Sequence, residues 1–110
     1  MPSDVTASDT PIPCSGLRPR GLGVGLRALM STREGGVSAP PFHSLNLGRS
    51  VGDDPAAVAE NRRRVAAWMG AEPVYLHQVH GSRCVLLGQA PPEPLQADAA
   101  VTATPGLPLA

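Results

Sequence analysis

Three side chains close together in the sequence, His77, His80 and Cys84, are of the types that hold metal ions or move protons. They lie in Val-Tyr-Leu-His-Gln-Val-His-Gly-Ser-Arg-Cys-Val-Leu-Leu, from Val74 to Leu87. Gly81-Ser82 separates two apolar, β-prone runs and reads as a tight turn, which predicts a β-hairpin with His80 at its tip. Strand geometry then argues against the three acting together. Side chains alternate along a strand, so His77 and His80 point to opposite faces. A two-residue turn pairs His80 with Arg83 and Val79 with Cys84, which puts Cys84 on the His77 face; a longer or bulged turn would weaken this. A zinc ion needs three or four donors at about 2.0 to 2.3 Å, and the hairpin alone does not assemble them around His80. A lone histidine at a turn tip is more often a surface or structural residue than a ligand. Cys84 is most simply a small apolar core residue, and His43 has no evident partner.

Composition narrows the chemistry further. All of the basic residues are arginines, which removes a Schiff-base or P-loop lysine and leaves guanidinium forks suited to phosphate or carboxylate. There is no nucleophile elbow, P-loop or dinucleotide fingerprint, and no second carboxylate at catalytic spacing. Ser31-Thr32-Arg33-Glu34-Gly35-Gly36-Val37-Ser38 could hold an anion, or could be a solvated connection with positive-φ glycines. The formal net charge is +0, so nothing steers the chain to nucleic acid or to an anionic membrane. No stretch approaches the ~20 apolar residues of a membrane span, and Met1 to Gly16 has no apolar run of signal-peptide length. Two cysteines, Cys14 in a polar segment and Cys84 in a strand, fit a reducing cytoplasm better than a structural disulfide.

The elements that would position these groups can be read in order. Residues 1–20 mix Ser, Thr, Asp and Pro without period and are expected to form a disordered tail, with one domain over 21–110. Gly21 to Met30 alternates, placing Val24, Leu26, Ala28 and Met30 on one face of a strand, with Gly23 and Gly25 opposite. After Pro40-Pro41, Phe42 to Gly48 is a short strand or an irregular packed loop, with Leu45 and Leu47 facing one way and Ser44 and Asn46 the other. Asp54-Pro55 is a helix start, the carboxylate capping free amides and the proline occupying the first helical position. The helix should run from Pro55 to about Met69 and stop at Gly70 in the left-handed conformation. Val58, Val65 and Trp68 or Met69 form its buried stripe, and Glu60 pairs with Arg64. Arg62 lies on the inner side and could reach a carboxylate or backbone carbonyls, while Arg63 and Arg64 face water. Ala90 to Pro94 is a proline-rich spacer, Ala97 to Thr102 a strand, Thr104-Pro105-Gly106 a turn, and Leu107 to Ala110 a further apolar run. Aromatic residues make up only 3% of the chain, so the core must be aliphatic.

Several separated segments resemble one family in order: Ser31 to Ser38; Ser44-Leu45-Asn46-Leu47-Gly48; Val51-Gly52-Asp53-Asp54 with Asn61-Arg62; Gln78-Val79-His80-Gly81; and Ala97-Asp98-Ala99 with Thr104-Pro105-Gly106. This is the YfiH family, also called the laccase-domain or polyphenol oxidase family, whose members are described as purine nucleoside phosphorylases. The resemblance covers about Gly23 to Ala110. It implies an α/β fold, a mixed-sheet α/β/α-type sandwich, with this chain as its incomplete amino-terminal part. It also implies a zinc held by two histidines and a cysteine. The Gln-Val-His-Gly histidine carries over onto His80. The Thr-Ala-Asp-Cys and His-Ala-Gly-Trp-Arg-Gly motifs that supply the others are expected beyond Ala110, and Cys84 does not replace the missing cysteine.

The resulting expectation is a zinc-dependent enzyme that cleaves adenosine, inosine, guanosine or methylthioadenosine with phosphate and could also deaminate adenosine. His80 is the expected metal ligand and catalytic centre; Arg33, Asn46, Gln78 and Asp98 are candidates for binding purine nucleoside and phosphate. Asn46 and Asp98 could equally cap turns beside the site. Two other readings stand: copper-dependent oxidation of phenols, and a non-catalytic fragment that pairs with a complementary chain or with itself through an unfinished strand edge.

Overall fold

A computed structural model describes residues 26, 28–92 and 94–110, so the expected tail and most of the strand placed at 21–30 lie outside the described residues. The chain divides into two compact units, Met1–Trp68 and Met69–Ala110. Among the described residues the regular elements are one helix, α1 (Pro55–Met69), and two strands, β1 (Cys84–Leu87) and β2 (Ala99–Thr102). This is an α/β composition. The buried apolar residues are Leu45, Val58, Val65, Val74, Leu87 and Ala97, an aliphatic set.

In the first unit, α1 begins and ends where its local chemistry dictates. Asp54 Oδ1 accepts the Ala56 N–H at 3.1 Å and its carbonyl accepts the Val58 N–H at 3.1 Å. Such a cap contributes about 1 kcal/mol. At the other end Gly70 takes φ 85°, the left-handed conformation that terminates a helix with little steric cost to glycine. The buried face is Val58, Asn61, Arg62 and Val65, spaced i, i+3, i+4, i+7. Half of that stripe is polar.

Those polar side chains organise the irregular segment that precedes the helix. Asn61, fully buried, accepts the Val37 N–H and donates to Ser38 Oγ and the Asn46 carbonyl, each at 2.8 Å. Arg62 Nε donates to the Leu47 carbonyl at 2.8 Å, and Arg64 reaches the Gly35 carbonyl at 3.0 Å. Arg62 thus reaches inward as its position suggests, whereas Arg64, expected to face water, is drawn back onto the loop. Phe42 to Gly48 is irregular, with Ser44 and Leu45 buried. Of the apolar face expected at 21–30, the described Leu26 and Met30 are each 58% exposed.

In the second unit the expected hairpin does not form. β1 pairs with β2 in parallel, Cys84 opposite Ala99 and Leu87 opposite Thr102. The run before Gly81 turns instead to other partners, Val74 bridging Leu109 and His77 bridging Gln96, both in parallel. The physical reason lies at Asp98. Its N–H donates to the Arg83 carbonyl at 2.9 Å, and its carboxylate takes the amides of the segment just before Arg83, so the donors a hairpin would use are already satisfied. Cys84, expected in the core, is an exposed free thiol. It faces outward on β1, as does Leu86, which is 78% exposed.

Candidate functional site

His80 lies in the loop between the His77 bridge and β1, with φ 59°, in the left-handed region where a non-glycine residue needs external support. The support is one carboxylate. Asp98 Oδ1 accepts the Val79 N–H at 3.0 Å and the His80 N–H at 2.7 Å, and Oδ2 accepts the Gly81 N–H at 2.9 Å. Three successive amides converging on an anion form charge-assisted bonds, stronger than neutral ones. The same residue is pinned from behind, because the Asp98 and Ala99 amides both donate to the Arg83 carbonyl. The loop from Val79 to Arg83 is therefore closed onto Asp98 and Ala99 at both its ends. Burial pushes the Asp98 carboxyl up, but the backbone groups of Gly81, His80, Val79 and Arg83 outweigh it and hold it below the usual carboxylate range.

The consequence for His80 is that its backbone is engaged while the residue stays exposed. An imidazole presented in this way can donate a lone pair, accept a proton or hydrogen-bond a ligand. Gln78 is exposed two positions earlier, and His77 is exposed with its backbone bonded to Leu95 and Ala97. Among the described residues no group of three or more His, Cys, Asp or Glu side chains is placed to hold a metal ion. The described residues thus offer His80 as one donor and do not by themselves close a metal site. With β1 paired to β2 and no hairpin formed, strand alternation does not set Cys84 and His80 on opposite faces.

Arg33 and Asn46 belong to the first unit. Arg33 is exposed, and its carbonyl accepts three bonds, from Ser44 N at 2.7 Å, Leu45 N at 2.8 Å and Ser44 Oγ at 2.9 Å. The backbone at Arg33 is thereby fixed to the buried segment. The Asn46 side chain is spent locally: Nδ2 donates to Asp53 Oδ2 at 3.1 Å and the Gly48 carbonyl at 3.3 Å, while Oδ1 accepts the Gly48 N–H at 3.1 Å. Asp53 also accepts from Ser38 Oγ at 2.6 Å. The Ser38 hydroxyl, with help from Asn46 and the Asp54 amide, outweighs desolvation and holds the Asp53 carboxyl below its usual range.

Two roles escaped the sequence reading. Asn61 appears there only as a motif member, although its place on the Val58–Val65 stripe is a signal that it turns inward. The clamp from Asp98 to Val79, His80 and Gly81 spans 17 to 19 residues and leaves no local trace.

Residues 27–110 match the family described as multi-copper polyphenol oxidoreductase laccase. A purine nucleoside phosphorylase of Mycobacterium tuberculosis is 52% identical over 93 residues, which cover 81% of this chain and 37% of that protein. The purine nucleoside phosphorylase YfiH of Escherichia coli is 48% identical over 84 residues, 74% of this chain and 35% of that one. Among solved structures, a Neisseria meningitidis protein superposes with TM-score 0.73 at 39% identity, covering 79% of this chain and 36% of its own. The chain thus spans little more than a third of the length of the relatives it matches. The similarity includes the helix and the His80 loop, and on these matches the chain belongs to the laccase-like YfiH family.

Proposed function

We propose that this chain is the amino-terminal part of a zinc-dependent purine nucleoside phosphorylase that acts in the cytoplasm on a small-molecule nucleoside and inorganic phosphate. What carries the reading is that about half the residues are identical to proteins named purine nucleoside phosphorylase, across a span that includes the His80 loop. Adenosine, inosine, guanosine and methylthioadenosine are the substrates proposed, with adenosine deamination as a second reaction. His80 serves as one metal ligand, with the other ligands outside the described residues. When bound, zinc supplies Lewis acidity. The chain's own residues bind and orient: the exposed Arg33 offers a planar fork for phosphate, and Gln78 offers an amide for ribose or base. Asn46, bonded to Gly48 and Asp53, and Asp98, bonded to Val79, His80 and Gly81, each shape the loop they bond. The α/β/α-type sandwich belongs to the whole enzyme under this reading. No helix among the described residues is long and apolar enough to cross a membrane.

The test is H80A in the full-length protein that carries this chain. Metal analysis and adenosine phosphorolysis should both fall to background, and unchanged zinc content with an unchanged rate would overturn the assignment. The family description favours a second reading, copper-dependent phenol oxidation. Oxidation of a phenol by the copper-loaded protein, with no phosphorolysis by the zinc-loaded one, would select it.

A further inference from the structure

We propose that Asp98 is a positioning residue for His80: its carboxylate, by accepting the amides of Val79, His80 and Gly81, holds His80 in the left-handed conformation that presents the imidazole. This rests on the reading of His80 as a metal ligand. At φ 59° the His80 Cβ crowds the following carbonyl, a cost that glycine would avoid. A histidine is nevertheless present, so the side chain is needed where the backbone would favour glycine, and something must hold it there. The three amides are that hold, and all of them donate to one carboxylate.

The bonding is asymmetric, which makes it testable. Oδ1 accepts from Val79 and His80, whereas Oδ2 accepts from Gly81. An asparagine oriented to keep Oδ1 preserves two bonds and replaces the third acceptor by an amide nitrogen that cannot accept. D98N should therefore release Gly81 and spare its neighbours, while D98A releases all three. A residue that merely braces the sheet would give the exchange pattern without a graded loss of zinc affinity.

The experiment uses the full-length protein with D98N, D98A and H80A, at a temperature where circular dichroism shows each folded. Amide hydrogen exchange is read in the zinc-free form, and zinc affinity by competition with a chromogenic chelator. Exchange should accelerate about tenfold at Gly81 but not at Val79 or His80 in D98N, and at all three amides in D98A. Zinc affinity should fall in the same order, by about 10- to 100-fold for D98A. Wild-type exchange or wild-type zinc affinity in D98A, with zinc binding abolished in H80A, would overturn the positioning role and leave His80 as ligand. Unchanged zinc affinity in H80A would remove the ligand reading itself and the proposal with it. If D98A does not fold, D98N decides through Gly81.

Discussion

Asn61 Oδ1 accepts the backbone N–H of Val37 at 2.8 Å, joining a fully buried helical side chain to a loop residue 24 positions before it. The other end of the same amide satisfies Ser38 and Asn46. Asn61 thus does for the first unit what a β-ladder does elsewhere: it gives an irregular backbone its hydrogen-bond partners.

Replacing Asn61 should therefore cost more than its size suggests. N61A leaves the Val37 amide and the Asn46 carbonyl without partners and is expected to lower stability by about 3 kcal/mol. N61D keeps the acceptor but turns a carboxylate oxygen towards the Asn46 carbonyl, and should be at least as damaging. Urea denaturation of the three proteins checks both; a loss within about 0.5 kcal/mol for N61A, the range of surface changes, would show that the hub is dispensable.

Gly36 is required by proximity. A Cβ there would collide with the Ser44 carbonyl and stand 2.5 Å from Asn61 Oδ1 and 2.6 Å from Leu45 Cα. Two of those three atoms are backbone, so the clash is not relieved by a rotamer change. G36A should cost about 2 kcal/mol or more. Gly88, around which a Cβ would meet nothing within 4 Å, is the control, and G88A should stay within about 0.5 kcal/mol of wild type.

Asp53 makes the first unit sensitive to acid. Its carboxyl is held below the usual range, chiefly by the Ser38 hydroxyl, so the folded state favours the ionised form. A depressed folded pKa stabilises fully above the unfolded value, about 3.9, and that contribution disappears as pH falls through the folded value. Glu60, lowered to about 2 by Arg63 and Arg64, acts with the same sign, so the informative quantity is the difference between wild type and D53N. That difference in urea midpoint should be constant from about pH 7 to 5 and shrink below about pH 4. A gap that stays constant into acid would mean Asp53 is not coupled to folding.

How much of this was legible follows from the range of each signal. The helix was readable to its ends because Asp54, Pro55 and Gly70 act on their own neighbours, and the inward reach of Arg62 followed from its place between Val58 and Val65. The hairpin was misread for the same reason. Gly81-Ser82 is a good local turn, but the amides beside it answer to Asp98, far along the chain, and Cys84 was placed in a core that β1 does not provide on that face. His80 could be singled out by type and position, yet its left-handed backbone and the anion beneath it are products of tertiary structure. Asn46 shows the opposite case. Its polarity fits a ligand contact or a turn cap equally, and its side chain bonds Gly48 and Asp53.

The parallel pairing of β1 with β2 gives the proline-rich connection a thermodynamic meaning. A parallel pair needs a crossover that returns to the starting end of the first strand, and between Gly88 and Asp98 it contains no helix among the described residues. Beyond the bridge to His77 at Leu95–Ala97, a crossover without a helix has no internal ladder to satisfy its amides. Pro91, Pro92 and Pro94 have no amide hydrogens to satisfy, and their fixed φ narrows the conformations available before folding. The spacer's composition thus lowers the entropy lost on closing the crossover, and it does so through the unfolded chain, where no contact in the folded state records it.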